Sequence, residues 1–193
     1  MLSLIRWKLP LNLHTCQRHF WHHLEPPQGM TSEEGYKACA ASLGAGAEGK
    51  ILIDATNPLS DFPALGVHYD GNTSGGEQCA AAFPKSAVFK SFNTIGVEHM
   101  GINANGRAMP GHDTAEGPLT MLVSGDKDKE AEAATIVKAA GFDPRYVGPI
   151  RYARNLEAVA EIWIHTAIPP AGLTQEDWGR NFHIQVVGGA GKK

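Results

Sequence analysis

Four short strand-like segments alternate with segments of helical pattern, and this alternation points the chain to one fold class. The strand-like segments occupy residues 51–55, 86–92, 119–123 and 144–147. The first is a short apolar run. It suits a strand buried on both faces of a parallel sheet. Helical patterns fill 33–43, 74–82 and 126–140. The clearest periodicity follows: Leu156, Val159, Ala160, Trp163, Ile164, Ala167 and Ile168 form one apolar stripe, which Pro169-Pro170 ends. Strand and helix alternating in this way predict an α/β fold with a mainly parallel sheet flanked by helices.

End signals sharpen these bounds. Thr31 or Ser32 can cap the first helix, with Glu33 and Glu34 in its first turn, where acids suit the helix dipole. Gly141 fits the residue just past the third helix. Residues 94–117 are rich in Gly, Asn, Pro and His and read as an irregular excursion, and 182–187 as a closing strand.

Gly44, Gly46 and Gly49 match G-x-G-x-x-G. As a phosphate loop that pattern needs a strand before it and a helix after it. Here the order is reversed, so the glycines read as a helix-to-strand connection with Gly44 ending the helix.

The 193 residues suffice for one domain with a sizeable core, and 42% hydrophobic with 19% charged residues is ordinary for a globular chain. A net charge of -3 gives no general attraction to nucleic acid or anionic lipid. No apolar run approaches the roughly 20 residues of a membrane span; Glu157, Glu161 and His165 interrupt the longest. Three scattered cysteines make no disulfide framework and fit a reducing compartment. The expected location is cytoplasmic, or organellar if residues 1–30 are a transit segment. That segment has no acidic residue before Glu25 and holds four histidines; Cys16, His19 and His22 have a metal-ligand spacing without a second cluster. It reads as an atypical basic N-terminal segment, poorly ordered, before a domain over 31–187 and a tail over 188–193.

In open α/β sheets ligands bind beyond the carboxyl ends of the strands. Two polar clusters fall there: Thr56-Asn57-Pro58 and Lys90-Ser91-Phe92-Asn93-Thr94. The stretches "ILIDATNPL" and "SGGEQCAAAFPKSAVFKSFNTIG", with the later "GDKDKEAEAATIVKAAGFDPRYVGPIRYARNLEAVAEIWIH", resemble the NADP-dependent oxidoreductases related to coenzyme F420-dependent NADP reductase. The resemblance spans about residues 32–187. It implies a pyrroline-5-carboxylate-reductase-like Rossmann domain that transfers a hydride between NADP(H) and a small-molecule substrate or second redox cofactor, F420 being one option. It places Thr56, Asn57 and Pro58 near the nicotinamide half of NADP, and Lys90, Asn93 and Thr94 in the same cleft. No catalytic acid or base is singled out: His68, His99 and His112 all lie in or near loops.

The family's opening strand, glycine loop and helix have no counterpart here, so the expected sheet is partial, lacking the first βαβ strands. A homo-oligomer completing the sheet, or a fragment of a longer protein, would follow. The rival reading is a non-catalytic binding or oligomerisation module. Simpler roles stay open as well. Asn57 before Pro58 fits a helix cap, Lys90 a solvated charge, and Asn93 with Thr94 a turn. Arg154, Glu157, Glu161 and His165 form a charged row that fits a solvated helix face, or a metal pair at Glu161 and His165.

Overall fold

The computed structural model describes residues 32–60, 66–67, 69, 71–96, 99–100, 118–168, 178–180 and 182–188. The N-terminal segment, His68, His112 and the end of the tail lie outside them. In chain order the elements are α1 (Glu33–Leu43), β1 (Ile51–Asp54), β2 (Leu59–Ser60), β3 (Gly66–Val67), α2 (Gly75–Ala82), β4 (Ala87–Lys90), β5 (Thr120–Gly125), α3 (Glu130–Ala139), β6 (Asp143–Gly148) and α4 (Ala153–Ala167).

Local chemistry sets the ends of these helices. Ser32 caps α1 by accepting the Gly35 N–H at 3.2 Å. Gly44 closes it at φ 51°, in left-handed space that glycine enters without a Cβ clash. The three glycines therefore follow a helix and lead through a 3-10 turn (Gly44–Ala47) into β1. Asp126 caps a 3-10 turn at Lys127–Lys129, so the third helix starts later than its sequence pattern suggests.

Four strands form the main sheet in the order β1-β4-β5-β6, and β2 pairs with β3 separately. The β1–β4 and β5–β6 pairs are parallel, but β4 and β5 run antiparallel, with Lys90 opposite Ser124. The sheet is thus mixed but mostly parallel, as expected, with an antiparallel step between β4 and β5. An antiparallel neighbour requires no crossover helix, and residues 94–117 carry no helical pattern to supply one.

Adjacent residues on β1 and β4 point to opposite layers. Ile53 and Phe89 pack with Met121, Val123, Ala133 and Val137 on the α3 side. Leu52 and Val88 pack with Tyr36, Cys39, Cys79 and Phe83 on the α1–α2 side. Both faces are covered, as the apolar run at 51–55 predicts. Full burial of one such side chain, Phe89 for example, contributes about 1.5–3 kcal/mol. On α4, Trp163 stacks on Phe182 at 5.5 Å and donates its indole N–H to the Phe182 carbonyl at 3.0 Å.

The expected closing strand at 182–187 is not a strand. Its side chains hold Thr120 instead: Gln185 Oε1 accepts the Thr120 N–H at 2.8 Å, and His183 Nε2 lies 2.9 Å from the Thr120 carbonyl. Thr120 Oγ1 accepts the Val186 N–H at 3.2 Å. With its backbone groups met by side chains, Thr120 offers the segment no ladder. Cys79 is a buried free thiol. Among the described residues no helix is long and apolar enough to cross a membrane.

Candidate functional site

Asp54 and Lys90 end two parallel strands in register, so their side chains emerge together. Lys90 Nζ lies 2.9 Å from Asp54 Oδ2 and 2.7 Å from Glu157 Oε1, and Lys90 is 0% exposed. Burial works against the ammonium charge, but the two carboxylates outweigh it and hold Lys90 above the ordinary lysine range.

Glu157 reaches further. Its carboxylate accepts the N–H groups of Gly75 and Gly76, both at 3.0 Å. Those amides open α2, where the helix dipole favours an anion. Ser74 caps the same end by accepting the Glu77 N–H, and Arg154 grips Glu77 with two nitrogens at 2.7 and 2.8 Å. Helix α4 is thereby tied to the start of α2 at two places.

Asp54 also shapes the loop after β1. Its Oδ1 accepts the Thr56 N–H at 3.0 Å and the Thr56 hydroxyl at 2.7 Å, a turn that fixes the strand end. The Tyr36 hydroxyl sits 2.8 Å from Thr56 Oγ1. Burial first, and the nearby Asp54 charge second, push the Tyr36 phenol far above its ordinary range, so it stays protonated.

The loop after β4 meets the first one through two amides. Asn93 Nδ2 donates to Asn57 Oδ1 at 3.3 Å and to the Leu156 carbonyl at 3.1 Å, while Asn57 Nδ2 donates to the Asn93 carbonyl at 3.4 Å. Asn93 Oδ1 is buried and has no hydrogen-bond partner among the described residues. The preceding residue, Phe92, stands at φ 64°, an uncommon and costly conformation for a bulky side chain. Pro58 and Thr94 are buried in the same two loops.

The structure thus joins Asn57 to Asn93 directly and links Thr56 to Lys90 through the Asp54 carboxylate. Two of the simpler readings change. Lys90 is not a solvated charge, and Asn57-Pro58 caps no helix, because β2 follows it directly. Of the charged row on α4, the Glu157 side chain is only 8% exposed and Arg154 is held by Glu77, so that face is not simply solvated. Among the described residues no three His, Cys, Asp or Glu side chains group to hold a metal. Tyr36, Asp54 and Glu157 are the members that sequence reasoning missed. Asp54 had one signal, a lone carboxylate ending an apolar run.

No family profile and no curated protein matches the chain. Solved structures do. A crystal structure from Arthrobacter sp. FB24, described as a "putative f420 dependent nadp-reductase", aligns with TM-score 0.61 and 29% identity over 78% of this chain and 63% of its own. A hypothetical protein, SMa0349 from Sinorhizobium meliloti, aligns with TM-score 0.50 and 20% identity over 80% of this chain and 63% of its own. The second likeness concerns the fold alone. Together they agree with an α/β Rossmann-like fold, and the first supports a relation to F420-dependent NADP reductase-like proteins. The chain spans less than two thirds of the length of either structure.

Proposed function

We propose that this chain binds NADP(H) across the loops after β1 and β4 and transfers a hydride between it and a small-molecule substrate or second redox cofactor, F420 among the options. The observation that carries this reading is Asn93: a buried amide oxygen without a partner among the described residues, next to a strained Phe92. Unpartnered buried acceptors are rare, and a ligand N–H is one way of meeting such a group. The likeness to the Arthrobacter protein supports the cofactor class.

When bound, the nicotinamide supplies the hydride chemistry. The chain's own groups position and exclude water. Asn93 Oδ1 accepts a hydrogen bond from the cofactor, Thr56 and Asn57 form the adjoining wall, and Pro58 and Thr94 line the same loops. Lys90, held by Asp54 and Glu157, joins the two strand ends that carry these loops. Hydride transfer needs two reactants held face to face more than acid-base groups, and this cluster of amides and hydroxyls suits that task. The domain belongs, on this reading, with the pyrroline-5-carboxylate-reductase-like Rossmann domains and works as a homo-oligomer.

The glycine pattern favours a second reading. Gly44, Gly46 and Gly49 follow α1 and precede β1, so this stretch makes no phosphate loop at a helix start. On that reading the chain is a non-catalytic binding or oligomerisation module. Calorimetric titration of the folded chain with NADPH and NADP⁺ separates the two. Saturable binding supports the oxidoreductase reading, and no heat from either nucleotide supports the module.

A further inference from the structure

A second site lies at the same end of the sheet, displaced toward β6. Because β5 runs antiparallel to β4 with Lys90 opposite Ser124, Thr120 projects past the carboxyl end of β4. Strand β6 starts beside it at Asp143. A cavity of about 310 Å³ opens here, between the start of β6, the end of α3 and the 182–188 segment. That volume is at the small end of the roughly 300–1,000 Å³ typical of small-molecule sites.

Its lining includes the apolar residues Pro118, Pro144, Val186 and Val187, and the buried Phe142. Val187 is 76% exposed, an apolar side chain left in water at the rim. The polar groups are mostly committed. Gln185 is engaged by the Thr120 N–H and the Pro118 carbonyl. Asp143 is engaged by Arg145 Nε at 2.7 Å, and among the described residues the two outer guanidinium nitrogens of Arg145 carry no further bond. Lys138, in the last turn of α3, lines the cavity and has no ion-pair partner among the described residues. Among the described residues the lining therefore carries one cation in excess and no uncommitted carboxylate.

We infer that this cavity binds a small organic carboxylate, its apolar body against Pro118, Pro144 and Val187 and its carboxylate toward Lys138 and Arg145. Charge complementarity selects the anion, and the single excess cation selects one negative charge over two. The inference is independent of NADP(H) binding.

Benzoate and its neutral match benzamide test it on the full chain by amide chemical-shift titration. Benzoate should give saturable shifts confined to 142–145 and 186–188, and benzamide should bind about fivefold more weakly. Lys138→Gln, a change at an exposed side chain, should weaken benzoate by about the same factor and leave benzamide unchanged. The absence of saturable shifts, equal affinity for benzamide, or unaltered benzoate binding in the Lys138→Gln chain would each overturn the proposal.

Discussion

Asp54 and Lys90 face each other across two parallel strands, and their charged ends meet at 2.9 Å in a site closed to solvent. A lysine so placed is tolerated only because Asp54 and Glu157 both answer its charge. The Lys90→Met chain would leave two buried carboxylates without their cation. It should lose about 3–5 kcal/mol of stability, measured by urea unfolding.

Glu157 does two jobs, pairing with Lys90 and accepting the first amides of α2. Glu157→Gln keeps an acceptor for Gly75 or Gly76 and gives up the charge, whereas Glu157→Ala gives up both. The Gln chain should be destabilised by about 1–3 kcal/mol and the Ala chain by more, in the same unfolding assay. Equal losses would mean that the amide contacts contribute nothing.

Gly76 lies where α2 crosses α4. A Cβ there would stand 2.6 Å from Ala153 Cβ, a short side chain with no room to turn away. Gly76→Ala should cost about 1–3 kcal/mol. Gly46 is the control: a Cβ there meets nothing within 4 Å, so Gly46→Ala should be neutral or stabilise by about 0.4–1 kcal/mol.

His183 ties the C-terminal segment to β5. Burial, then the neighbouring His99, hold its pKa below the usual 6.5, against the opposing effect of its hydrogen bond to the Thr120 carbonyl. The folded state thus binds fewer protons at this site than the unfolded chain. The stability it contributes is complete above about pH 6.5 and falls as pH drops through that value. Chemical unfolding at pH 7.5 and pH 5.5 should show a loss that shrinks in the His183→Gln chain. An identical loss in both chains would assign the pH dependence to other groups.

Much of the fold was legible because its signals are local. Ser32 and Gly44 bound α1 as their chemistry dictates, and the stripe from Leu156 to Ala167 marks α4. The direction of β5 was not legible, since an apolar run such as Leu119 to Val123 reads the same in either orientation. Nor was the buried ion-pair cluster. Glu157 meets Gly75 across 82 residues, and on its own helix it looks like one more charge in a solvated row. The candidate residues Thr56, Asn57, Lys90 and Asn93 were visible because strand-end positions follow from the strand assignments. Which of them remain free to meet a ligand depends on contacts made by α1 and α4.

The most direct test of the central claim compares NADPH affinity in the native chain and in the Asn93→Ala chain, each shown to be folded by thermal unfolding. If Asn93 Oδ1 receives a hydrogen bond from the cofactor, the variant should bind about tenfold more weakly. Unchanged affinity, or no binding to the native chain, would contradict the assignment of NADP(H) to these strand-end loops.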